Sequence, residues 1–295
     1  MDGFEEKQLT VGEASYFIAQ GGDGSPVLLL HGFPETHACW YRIAPRLAGT
    51  HRVIAPDLRG YGSSEAPPGG PQGEGYTKRE MAAELVELMA GLGHERFAVV
   101  GHDRGGRVAY RLALDFPERV ERVAVLNVVP TIDQFERMGT GPSLGYWTWF
   151  LLAQAERFPE RLLLAEPKTV LDHIFATWAG DPGAIAAELR DAYLQALTPS
   201  TAAAMCADFR ASFHLDRLDE ADDRAAGRRI TCPMLVVTGS EEAQLADAGD
   251  VWRAWTTDLA VAKVPGGHFN PEEAPEELFQ ILVDFLAAEN ASDRP

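Results

Sequence analysis

Residues 97–108 read Phe-Ala-Val-Val-Gly-His-Asp-Arg-Gly-Gly-Arg-Val. An apolar run, short enough for a buried strand, drives into a Gly-x-Asp-x-Gly turn and leaves it as a helix. Asp103 stands where strand gives way to helix. A carboxylate exposed at such a turn suits displacement at an alkyl carbon, forming an ester on the protein that must then be hydrolysed. The competing reading is an ordinary acidic residue in a Gly-rich turn; the agreement of strand, turn and helix favours the reactive one.

The pattern extends in both directions. Residues 7–20 predict a hairpin turning near Val11-Gly12-Glu13, followed by strands at Pro26–His31 and Arg52–Asp57. Residues 77–90 have helical periodicity, with Met81, Leu85, Leu88 and Met89 on one face. A helix is expected over 105–115 and further strands at 122–129, 233–239 and 259–264, with a terminal helix at 275–288. Short continuous apolar strands alternating with amphipathic helices predict a parallel sheet covered on both faces. The alternation breaks at Pro130 and resumes near residue 229, so 1–130 and 229–295 read as an α/β core and 131–228 as an inserted helical cap. Pro67–Gly75 reads as a surface loop.

The 295 residues are 46% hydrophobic and 24% charged, ordinary for a globular protein whose core needs no disulfide or metal. Three scattered cysteines suggest a reducing compartment. The acidic N-terminus lacks the order of a signal peptide and no run is long enough to span a membrane, so a cytoplasmic location is expected. A formal charge of −18 argues against nucleic acid or an anionic membrane as partner. No Gly-x-Gly-x-x-Gly follows a strand and no Cys/His cluster has ligand spacing, so neither cofactor nor metal is expected. Near the C-terminus, His268 follows a strand and a Gly-Gly pair, well placed to deprotonate water at an aspartyl ester.

His31-Gly32-Phe33-Pro34, the segment Asp57–Ser64, Gly101-His-Asp-Arg-Gly-Gly106 and Gly266-Gly-His-Phe269 together make the chain resemble the α/β-hydrolases, whose nucleophile elbow carries serine in esterases. The resemblance is to their aspartate-nucleophile branch of dehalogenases and epoxide hydrolases. Residues 101–111 are most similar to haloacetate (fluoroacetate) dehalogenases, and 149–154 and 205–210 resemble that family's cap. The resemblance implies a mostly parallel eight-stranded sheet with helices on both faces. It also implies Asp103 as nucleophile, His268 as base, and the backbone N–H groups of Phe33 and Arg104 as an oxyanion hole. His31 itself reads as structural. Arg104 and Arg107 match the family's carboxylate clamp, neighbouring guanidinium groups suited to two-pronged binding; the bland alternative pairs Arg107 with a core acid.

Three departures carry information. Of the histidine, tryptophan and tyrosine that meet the departing halide, only Trp149 matches; Thr148 stands at the histidine position and Phe209 at the tyrosine position. Losing two donors should hurt C–F cleavage most, since fluoride is strongly hydrated, so chloro- or bromoacetate is the expected substrate. Asn127 occupies the strand end where the family's acid orients its histidine, which makes Glu242, in the turn after the next strand, the preferred third member. Gly141-Pro-Ser-Leu-Gly145 matches a serine elbow literally, but it follows no strand and Pro142 forbids the turn.

The leading expectation is therefore a cofactor-independent hydrolase of a small carboxylate, with a homodimer through the apolar cap as a guess. Two alternatives stand beside it: an epoxide hydrolase, which needs cap tyrosines where only Tyr146 and Tyr193 are available, and a binding protein that kept the fold without turnover.

Overall fold

The computed structural model describes every residue except 2, 13, 139–143, 156 and 289–295, so the serine of the Gly-Pro-Ser motif lies outside the described residues. Eight strands form one sheet: β1 (Glu5–Val11), β2 (Ala14–Gly21), β3 (Ser25–Leu30), β4 (His51–Pro56), β5 (Phe97–His102), β6 (Val120–Leu126), β7 (Met234–Gly239) and β8 (Leu259–Val264). Their order is β1-β2-β4-β3-β5-β6-β7-β8; β2 runs antiparallel to β1 and β4, and every later pairing is parallel. The hairpin, strand and helix assignments read from the sequence match this order to within two or three residues.

Central strands read as unbroken apolar runs because both faces are covered. Val27–Leu30, Val53–Ala55, Val99, Val100 and Val123–Leu126 are all essentially inaccessible to solvent. The helix Lys78–Gly91 starts at a Thr77/Glu80 capping box and buries Met81, Leu85, Leu88 and Met89, the face its periodicity indicated. The helix Asp103–Asp115 packs between this helix and strands β5 and β6.

Between β6 and β7 the chain is helical and, among the described residues, adds no strand to the sheet. The helices Trp147–Leu152 and Pro167–Trp178 line a cavity at the carboxyl ends of the strands, where open parallel sheets bind ligands, and the helix Pro199–Ala211 reaches the same end through Asp208 and Arg104. Pro67–Gly75 is mostly exposed, but Gly69 and Gly73 approach Ala207 and Ala211 too closely for a Cβ. The helical segment is thus seated on the core from two sides. No helix among the described residues is long and apolar enough to cross a membrane.

Candidate active site

β5 runs into the helix Asp103–Asp115 without an intervening residue, which starts two residues before its expected beginning. Asp103 takes a φ of 45°, a left-handed conformation that costs a non-glycine residue about 1–3 kcal/mol. The flanking glycines make the turn possible. A Cβ on Gly101 would lie 2.3 Å from the Gly105 carbonyl oxygen, and one on Gly105 would lie 2.4 Å from that of His31. Gly105 N–H donates to the His31 carbonyl at 3.0 Å, fastening the turn to the end of β3.

Phe33, next along that loop, donates its N–H to Asp103 Oδ1 at 3.0 Å. The N–H of Arg104 lies in the first helical turn, where the helix itself offers no acceptor. Asp103 Oδ2 lies 3.6 Å from His268 Nε2, within ion-pair range. Burial would raise the Asp103 carboxyl, but His268, Arg104 and His102 outweigh it and hold the group well below the usual carboxylate range. His31 donates from Nδ1 to the Gly32 carbonyl and accepts Leu58 N–H at Nε2, so its contacts serve the loop.

His268 lies between two carboxylates. Its Nδ1 is 2.7 Å from Glu242 Oε1, while Nε2 has no hydrogen-bond partner among the described residues. Burial disfavours the imidazolium, but Glu242 and Asp103 prevail and carry the ring well above its ordinary pKa. Of the two candidates for the acid partner, the ring meets Glu242.

Asn127 does something else. Its φ is 55°, its Oδ1 accepts Gly239 N–H at 2.8 Å, and its Nδ2 donates to the carbonyls of Gly267 (3.2 Å) and His268 (2.5 Å). The expected contact with the imidazole ring is absent: an amide both donates and accepts, and here it bridges the end of β7 to the backbone beneath His268. His102 Nε2 reaches the same His268 carbonyl at 2.7 Å, and its Nδ1 meets Glu35 Oε2 at 2.8 Å.

The two arginines separate. Arg104 is buried and grips Asp208 through Nε (2.8 Å) and Nη2 (2.7 Å), with Ser212 Oγ at 2.7 Å from Nη2. Asp208 also accepts from Lys78 and from Tyr61. So the arginine with a buried acid partner is Arg104, whose acid comes from the helical segment, and Arg104 is absent from the cavity wall beside Asp103; the core acid that the alternative gives to Arg107 is not found among the described residues. Arg107 lines that wall and donates from Nη1 to the Val129 carbonyl and Thr131; among the described residues it has no carboxylate partner and its buried Nε is unpaired.

The cavity has a volume of about 370 Å³ and reaches from Asp103, Asn127 and His268 to Trp149, Thr148, Tyr146, Gln134 and Trp178. Thr148 Oγ1 is buried there without a partner among the described residues. Trp149 stacks its ring 4.5 Å from the Arg107 guanidinium carbon. Phe209 does not line the cavity; it packs edge-on against Phe33 and Trp149, filling space behind them, as an aromatic ring without a hydroxyl has no polar reason to face the ligand. Tyr193 is also elsewhere, donating to Glu272. The sequence reading assigned no role to Gln134 or Trp178, since neither lies in a motif with chemical spacing, and left Tyr146 unplaced. No group of three His, Cys, Asp or Glu side chains could hold a metal among the described residues.

The alpha/beta hydrolase fold family matches residues 25–275. The chain belongs to that family. Across this α/β-hydrolase, a fluoroacetate dehalogenase from Burkholderia sp is 38% identical over 291 residues, covering 97% of this chain and 95% of the relative. A soluble epoxide hydrolase from Corynebacterium sp. (strain C12) is 30% identical, covering 90% and 91%. An alpha/beta hydrolase structure from Nostoc sp PCC 7120 superposes with a TM-score of 0.94 at 39% identity, covering 97% of this chain and 99% of the other. A provisionally named epoxide hydrolase from Pseudomonas aeruginosa, solved as a mutant with bound MFA, gives 0.92 at 39% identity and 97% of each chain. With such relatives along nearly its whole length, this α/β-hydrolase is a hydrolytic enzyme.

Proposed function

We propose that the enzyme hydrolyses a short 2-haloacid, chloro- or bromoacetate before fluoroacetate, through an ester on Asp103, beneath a cap formed by residues 131–228. One observation carries the reading. An ionised carboxylate with one oxygen held by Phe33 N–H and the other facing His268 opens on a cavity that also contains Arg107, which has no acid partner among the described residues. A substrate carboxylate on Arg107 would present its α-carbon to Asp103 Oδ2 for in-line attack.

In the first step the Oδ2–carbon bond forms as the carbon–halogen bond breaks, and halide departs with the bonding pair. Trp149 and Thr148 lie on the cavity wall, where an indole N–H and a hydroxyl would serve as donors to the departing halide. Esterification removes the negative charge of Asp103, one of the two anions that hold His268 protonated. The imidazolium then releases its proton, and the neutral ring takes one from water as the water oxygen attacks the Asp103 carbonyl carbon. Phe33 N–H and Arg104 N–H would receive the oxyanion, and Glu242 holds the ring and its charge. Collapse expels the 2-hydroxyacid, which takes the proton from His268, and the carboxylic acid left at Asp103 passes its proton to the ring, restoring the starting pair.

A second reading has a specific observation behind it. Tyr146 lines the cavity and pairs with Gln134, so a phenol is available to protonate an epoxide oxygen opened by the same Asp103. A single turnover of bromoacetate in H₂¹⁸O distinguishes ester hydrolysis from direct attack by water. The label should enter the Asp103 peptide and be missing from the glycolate. Label in the product alone would refute the ester route.

A further inference from the structure

Five residues beyond His268, in the short helix Asn270–Glu273, Glu273 accepts four backbone N–H groups. Gly267 donates to its Oε2 at 2.9 Å and Phe269 to its Oε1 at 2.9 Å, both from the loop that carries His268. Gly180 and Asp181 donate to Oε2 at 2.7 and 3.0 Å, from the end of the inserted helix Pro167–Trp178. One carboxylate thus ties two segments that are nearly ninety residues apart. They also touch directly, through His268 N–H to the Trp178 carbonyl at 2.9 Å. Side chains have been excluded from the seam: a Cβ on Gly267 would lie 2.4 Å from Gly180 N, and one on Gly180 would lie 2.8 Å from Gly267 N. The Trp178 indole stands edge-on over the His268 ring, 5.2 Å away at 74°.

We propose that Glu273 is a positioning residue that sets His268 and the Trp178 wall of the cavity as a single unit. It acts chiefly on ester hydrolysis, because Glu273 holds the backbone on both sides of His268 and none of the groups that hold Asp103 donates to it. The proposal rests on the two-step reading above. The asymmetry follows from how each group is held. Asp103 is fixed by its own turn and by Phe33, neither of which touches Glu273. His268 is flanked on both sides, at 267 and 269, by N–H groups that end on Glu273. Charge matters as well as shape, because hydrogen bonds to an ionised acceptor are about twice as strong as neutral ones. A glutamine would turn one acceptor oxygen into an NH₂ facing backbone donors.

The test is rapid-quench intact-mass analysis of Glu273→Gln with bromoacetate. Ester should form at a rate within about threefold of wild type and then accumulate, with hydrolysis slowed on the order of 10²-fold, the penalty of a small misplacement of a catalytic group. Glu273→Asp, which keeps the charge, should recover part of that loss. A parallel fall in both steps, or no change in either, would overturn the proposal. Hydrogen exchange read by mass spectrometry supplies a measurement that needs no turnover. Segments 177–181 and 266–269 should both exchange faster in Glu273→Gln, with 97–103 unchanged. Loosening of one segment alone, or of the whole chain, would also overturn it. If His268→Ala shows no trapped ester, the two-step reading fails on its own, and the exchange result still decides whether Glu273 joins the two segments.

Discussion

Asp208 accepts both prongs of the Arg104 guanidinium, and this single pair changes the electrostatic reading of the site. The acid comes from the helix Pro199–Ala211 and the arginine from the turn that carries Asp103, so the pair joins the helical insert to the centre of the core. Both side chains are buried. The attraction to Arg104 and Lys78 overcomes the burial penalty and holds Asp208 well below the usual carboxylate range. Removing Asp208 leaves the buried Arg104 guanidinium without its carboxylate partner and Lys78 with Asp216 alone.

Asp208→Ala should therefore destabilise the protein by about 3–5 kcal/mol, read as a lower urea midpoint at unchanged slope. A loss within about 0.5 kcal/mol, the range of surface substitutions, would show that the pair does not hold the insert to the core.

With Arg104 committed to Asp208, the proposed recognition of a substrate carboxylate would fall mainly on Arg107. Arg107→Met should raise KM for bromoacetate on the order of 10–100-fold, the worth of a charge-assisted hydrogen bond of about 1.5–3 kcal/mol. Arg107→Lys should recover only part, since an ammonium lacks the planar fork. An unchanged KM in Arg107→Met would contradict a carboxylate at that position.

Glu242→Gln should slow ester hydrolysis on the order of 10²–10⁴-fold while leaving formation of the ester nearly intact. Asn127→Asp should fail to help in place of Glu242. Its carboxylate would face the carbonyls of Gly267 and His268 where an amide now donates, costing about 1–3 kcal/mol of stability. Thermal denaturation and burst kinetics of the two variants check these outcomes, and a more active Asn127→Asp would refute the role given to Asn127.

Much of this was legible in the sequence because it is local. The strand-turn-helix at Asp103 and the glycines that permit it are decided within nine residues, and the Gly239-Ser-Glu-Glu242 turn pointed to the carboxylate that meets His268. The buried runs of β3 to β7 announced a sheet covered on both faces. What escaped is non-local. Nothing near Arg104 says that an acid 104 residues away will take its charge. Asn127 was read against an acid expected at that position, whereas its actual task, bridging a strand end to a loop 140 residues on, depends on packing. Glu273 drew no notice for the same reason: its four donors come from two distant stretches of backbone.

The pH dependence should split between the two steps. Asp103 is depressed, so it is ionised throughout the range above ordinary carboxylate pKa values and ester formation should be flat there. His268 is raised while two carboxylates flank it, and falls once Asp103 is esterified. Hydrolysis needs the neutral ring, so it should slow as pH drops through the pKa of the esterified state. Wild-type enzyme turning over bromoacetate should carry more ester as pH falls through that pKa and little ester once pH is well above it. Ester that accumulates at high pH instead would reverse the assignment of His268 as base.

The central claim is that Asp103 becomes alkylated and His268 releases it. Intact-protein mass spectrometry of His268→Ala, incubated separately with bromoacetate, chloroacetate, fluoroacetate and small epoxides, tests it most directly. The account expects a carboxymethyl adduct with bromoacetate and chloroacetate, weak or none with fluoroacetate, and none in an Asp103→Asn control. An adduct with epoxides alone would transfer the enzyme to the second reading. No adduct with any of them, or one that persists in Asp103→Asn, would contradict the account.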